Sequence, residues 1–118
     1  MNELGKLAME TADAYEADAK ELVQHIRLLD QHTYDLKRIE TYTEAEVANE
    51  VDALGKPKYS NEVKRKAEKD LRLSNHKDYQ QLVDIHSDQK DRVDELKTNL
   101  DILKVRLREI DIATREVA

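Results

Sequence analysis

Apolar residues recur at alternating three- and four-residue steps along nearly the whole chain. In the second half the stripe reads Val93, Leu96, Leu100, Leu103, Leu107, Ile110 and Val117, with Thr114 filling one gap. In the first half it reads Ala8, Ala12, Tyr15, Ala19, Leu22, Ile26, Leu29, Thr33 and Leu36. Such a rhythm marks one face of an α-helix, and over many turns it marks a coiled coil. Ile39, Thr43, Val47, Val51 and Leu54 drift off the strict repeat, as a stutter does. Turn formers gather in one place, Leu54-Gly55-Lys56-Pro57-Lys58-Tyr59-Ser60-Asn61. Gly55 suits the left-handed residue just past a helix end, and Pro57 cannot continue that helix. Ser60 or Asn61 can cap a new helix, with Glu62 near its positive end. The pattern therefore predicts one helical domain over 1–118: helix 1 at about 3–53, a hinge at 54–60 and helix 2 at about 60–116.

Folding the chain back at the hinge brings the two stripes into one antiparallel register. Val51 then faces Val63, Val47 faces Ala67, Thr43 faces Leu71, Leu36 faces Tyr79 and Leu29 faces Ile85. Beyond these, Leu22 meets Val93, Ala19 meets Leu96, Tyr15 meets Leu100, Ala12 meets Leu103, Ala8 meets Leu107 and Leu4 meets Ile110. Small side chains on helix 1 oppose large ones on helix 2, which fills a seam without voids. The fold class expected is all-α, a long antiparallel helical hairpin. A second stripe, Ile102, Val105 and Ile112, lies outside that seam, with Val23 and Leu28 on helix 1. A lone hairpin buries little apolar surface for its length. The outer stripe is thus the candidate oligomer interface of a four-helix or larger bundle of identical chains.

Composition narrows the alternatives. Two Gly and one Pro in 118 residues cannot supply the turns of an all-β fold, and the absence of Cys removes disulfides, thiol catalysis and Cys-ligated metal. No apolar run nears the roughly 20 residues that span a bilayer. The first residues carry acids where a signal peptide carries a basic and then an apolar segment, so the expected location is cytoplasmic, away from membranes.

Charge is unevenly spread. Residues 1–53 hold 5 basic and 13 acidic side chains, residues 54–118 hold 15 and 13, and the whole chain is −6. Much of the positive excess follows the hinge: Lys56, Lys58, Lys64, Arg65, Lys66, Lys69 and Arg72. With Tyr59 to stack on a base, these eight residues form a candidate nucleic-acid contact. The competing reading pairs the same cations with Glu44, Glu46, Glu50 and Asp52, which the register places alongside.

No motif for catalysis stands out. His25 and His32 are seven residues apart, about 10 Å along a helix, too far to share a metal ion, and folding back brings His25 near Gln89 and His86. Carboxylates abound, but a slender rod offers no pocket to tune one. Gly-rich phosphate loops and nucleophile elbows are absent from the sequence. The expectation is no enzyme, no cofactor, no metal and no small-molecule substrate. Thr33, Glu40, His86 and Gln89 interrupt the apolar stripes, and such polar seam residues fix register at a cost in stability.

The run Lys58-Tyr59-Ser60-Asn61-Glu62-x-x-Arg65, followed by Tyr79 and a Leu-rich coil, resembles small coiled-coil proteins of bacteriophages and prophages. In these a similar motif opens the second of two helices. The resemblance covers the hinge and helix 2, and it implies a phage setting among early, recombination or replication genes without catalytic activity. Read from the residues alone, Tyr59 plugs the open end of the hairpin, Asn61 caps helix 2 and Arg65 pairs with acids across the turn. Three functions fit the same fold: a self-associating protein that binds another macromolecule, most naturally a protein; a nucleic-acid accessory working through the basic tip; and a phage inhibitor of a host enzyme working through acidic helix 1.

Overall fold

The computed structural model describes residues 2–117. The fold is an all-α helical hairpin. Among the described residues it has three helices, α1 (Glu3–Asn49), α2 (Glu62–Ser74) and α3 (Lys77–Val117), and one isolated antiparallel bridge, Val51 to Pro57. The chain divides into two compact units, Met1–Leu28 with Gln89–Ala118, and Leu29–Asp88.

The first unit packs the start of α1 on most of α3. Its core is Val93, Leu96, Leu100 and Ile110, with Leu96 wholly buried, against half-buried Leu4, Ala8, Tyr15, Ala19 and Leu22. Two polar links fix the register. Arg92 donates to Glu21 at 2.6 Å and His25 Nδ1 lies 2.6 Å from Gln89 Oε1. Both agree with the expected placement of Leu22 opposite Val93. The α1 stripe passes through Thr11 rather than the expected Ala12, which is exposed. Thr11 can be buried because its hydroxyl donates to the Leu7 carbonyl at 2.8 Å, leaving no unsatisfied donor. Thr114 and Val117, expected on the α3 stripe, are exposed.

The second unit departs from the expected pattern in three ways. The predicted helix 2 is two helices, because α2 stops at Ser74 and α3 starts at Lys77. Asn75 donates its N–H to the Leu71 carbonyl and His76 donates to that of Leu73. The His76 ring then caps α3 by accepting the Tyr79 N–H at Nδ1, 2.9 Å away. The register also shifts: Tyr79 donates to Glu40 at 2.5 Å, about one turn along α1 from its expected partner Leu36. His86 lies 2.9 Å from the Thr33 hydroxyl, whose one proton goes to the Leu29 carbonyl, so His86 Nε2 is the donor. As a result Leu73 is buried, while Leu71, Ile85, Val63 and Val51, all expected on the seam, are exposed.

The hinge is longer than expected, since α1 ends at Asn49 and α2 begins at Glu62. Within it, Gly55 donates to the Asp52 carbonyl and the Asp52 N–H reaches Lys56 O, the pattern of a three-residue hairpin loop closed by a glycine bulge. Gly55 has φ +76, so its left-handed backbone serves this loop and not a helix end. The Asp52 carboxylate braces the loop by accepting from the N–H groups of Leu54 and Lys56. Asn61 caps α2 as expected, its side chain accepting the Lys64 N–H at 2.9 Å.

Candidate interaction surfaces

Around the hinge, the inward face of α2 is charged. Arg65, Glu68, Lys69 and Arg72 are half-buried beside Leu73. Arg72 bridges Glu50 and Glu68, Lys58 reaches Glu50 at 3.2 Å and Lys69 reaches Glu44 at 3.4 Å. The Arg72 hydrogen bond, aided by Lys58, holds the Glu50 carboxyl below the usual carboxylate range. Glu50 and then Glu68 raise Arg72 in turn, and Glu50 raises Lys58.

Tyr59 is half-buried near two cations, with Lys58 Nζ 5.7 Å and Arg72 Cζ 5.9 Å from its ring centroid. A ring with two cations at this range already has cation–π partners within the chain. Arg65 donates to the Tyr59 carbonyl at 3.4 Å rather than pairing with acids across the turn. Of the eight candidate nucleic-acid contacts, Lys58, Tyr59, Arg65, Lys69 and Arg72 are thus occupied internally. Lys56, Lys64 and Lys66 are exposed and make no ion pair among the described residues. Residues 44–74 together carry seven basic and seven acidic side chains, so this end has no net positive charge to gather phosphates.

The candidate oligomer residues lie exposed outside the buried seam. Ile102, Val105 and Ile112 are each about half exposed on α3 (46%, 53% and 49%), and Val23 and Leu28 are similar on α1. Ile102, Val105, Glu109 and Ile112 follow a 3–4–3 spacing, which aligns them on one helix face. An open groove beside that face is lined by Ala14, Asp18, Asn99, Ile102, Leu103 and Arg106. In the second unit a larger open cleft of about 620 Å³ runs along α1 at Arg38, Ile39, Tyr42, Thr43 and Glu46, next to His76 at the helix break. Exposed Tyr34 and Tyr42 were not singled out from the sequence, although their eight-residue spacing puts them on one face.

No cluster of three or more His, Asp or Glu side chains suited to a metal ion occurs among the described residues. No described helix is long and apolar enough to cross a membrane. Comparison of the chain with protein-family models, curated proteins and solved structures found no match.

Proposed function

We propose that the protein is a non-enzymatic, self-associating helical hairpin that acts by holding another macromolecule, most naturally a protein. The carrying observation is the balance of burial. Among the described residues six hydrophobic side chains are buried, while fifteen large hydrophobic ones are exposed. Folded stability is a small difference between large opposing terms, and so thin a core leaves little margin in a single copy. Pairing hairpins through Ile102, Val105 and Ile112 removes part of that surface from water, at about 25 cal/mol per Å² of apolar area.

Glu109, in line with those three, sets register between copies as a polar seam residue does. The phage setting remains part of this proposal, supported by the Tyr59–Arg65 motif alone. The test is sedimentation of the full chain across a wide concentration range, beside the double variant Ile102→Asp, Val105→Asp. The wild-type chain sediments as an assembly, and the variant, its helix content intact by circular dichroism, sediments as a monomer. A monomeric wild-type chain at tens of micromolar would overturn the reading.

A further inference from the structure

Helix α2 is mounted with its apolar face outward. Glu68, Lys69 and Arg72 turn in beside buried Leu73 to ion pairs that include Glu44 and Glu50, whereas Val63, Ala67 and Leu71 all face solvent. Val63 is 79% exposed and Leu71 56%. Steps of four residues align the three on a single stripe. Lys66 and Asp70 flank it on one side, both exposed and neither in an ion pair among the described residues.

The stripe is symmetric about its smallest member. In two antiparallel copies of α2 crossing at Ala67, Val63 of each layers against Leu71 of the other, and Ala67 meets Ala67. Antiparallel pairing keeps each flank facing the same flank of its mate. Lys66 therefore comes within one turn of the mate's Asp70, and Asp70 within one turn of its Lys66. Both the size pattern and the charge pattern are thus self-complementary, as a two-fold interface requires. The small residue at the crossing lets the backbones approach.

We propose that the outer face of α2 is a docking surface for α2 of a second copy of this chain, related by a two-fold axis through Ala67. A 13-residue helix offers less area than the roughly 1,000 Å² of an independent interface. The contact is accordingly weak on its own and links copies separately from association through α3. It rests on the self-association proposed above but on a different face.

The absence of cysteine from the chain allows a direct test. Full-length Ala67→Cys is oxidised mildly beside Asp84→Cys, a control at an exposed α3 position. A two-fold crossing at position 67 brings the thiols within disulfide reach, so Ala67→Cys forms covalent dimer about tenfold faster or more than the control. Ala67→Glu, which sets two carboxylates face to face, lowers the association constant in sedimentation by a similar factor, with helix content unchanged. Equal cross-linking of the two cysteine variants would overturn the proposal. So would an assembly that survives Ala67→Glu and is lost in Ile102→Asp, Val105→Asp, a result that leaves association through α3 standing. A wild-type chain that is monomeric throughout would remove both.

Discussion

Single residues in this protein do two kinds of work: they satisfy the backbone where helices end, and they pin the register where the apolar seam is thin. Asn61, His76 and Asp52 do the first, each supplying a side-chain acceptor to backbone N–H groups that no helix or strand satisfies. Glu50, Glu21 and Glu40 do the second. The Arg72 hydrogen bond depresses Glu50 and the Arg92 hydrogen bond depresses Glu21, so both carboxylates favour the folded state while ionised. Their contribution is complete above the ordinary carboxylate range and is lost as pH falls through their lowered values. Thermal melts are therefore expected to fall steadily in temperature below about pH 4.5, and the fall is smaller in Glu50→Gln, which begins less stable at neutral pH. A stability profile in Glu50→Gln parallel to wild type would contradict this.

Tyr79 has the opposite sign. Burial first, then the Glu40 carboxylate that accepts its hydrogen bond, push the phenol up to about 12. Its contribution is present below the ordinary phenol value and is lost as pH rises toward 12. A tyrosinate absorbance step near pH 12 is expected in wild type and missing in Tyr79→Phe.

At the scale of elements, the two units were not equally legible. The first was, because Leu, Val and Ile recur at almost every turn of α3 and oppose Ala, Tyr and Leu on α1. The second unit carries fewer large apolar residues per turn, and its two candidate stripes, one through Leu71 and one through Leu73, differ by two positions. Ion pairs decide between them, since Arg72 and Glu68 face inward only when Leu71 faces out. Periodicity counts apolar residues and gives no weight to Glu44 and Glu50 waiting across the seam. The break at Asn75 was legible in principle: Ser74-Asn75-His76 joins weak helix formers to side chains that cap. Apolar positions on both sides, Leu71 and Leu73 before it and Tyr79 and Leu82 after it, allow a single helix to be drawn through it.

This assignment makes Leu71 and Leu73 unequal. Leu73→Ala, at a site 8% exposed, is expected to cost about 2–4 kcal/mol, and Leu71→Ala under about 1 kcal/mol for a monomer. Chemical denaturation of the two variants checks it, and the reverse order would restore the seam through Leu71 that the sequence pattern suggests. The candidate nucleic-acid contact was legible only as a set of cations. Which of them the fold consumes depends on the direction α2 faces, and that follows from the same ion pairs.

At the scale of the whole molecule, many large apolar side chains lie outside the buried seam. Apolar side chains line the outside of α3 at Ile102, Val105 and Ile112 and the outside of α2 at Val63 and Leu71. Glu44, Glu50 and Glu68 pair with Lys58, Lys69 and Arg72, so part of the positive charge near the hinge is spent within the chain. The proposed association between copies would cover part of this apolar surface, and stability linked to association depends on protein concentration. The most direct measurement is the melting temperature of the wild-type chain over a hundredfold range of concentration at neutral pH. The account predicts a rise of several degrees with concentration, abolished in Ile102→Asp, Val105→Asp. A melting temperature that stays constant across that range would show that a single hairpin is stable without a second copy, contrary to the account.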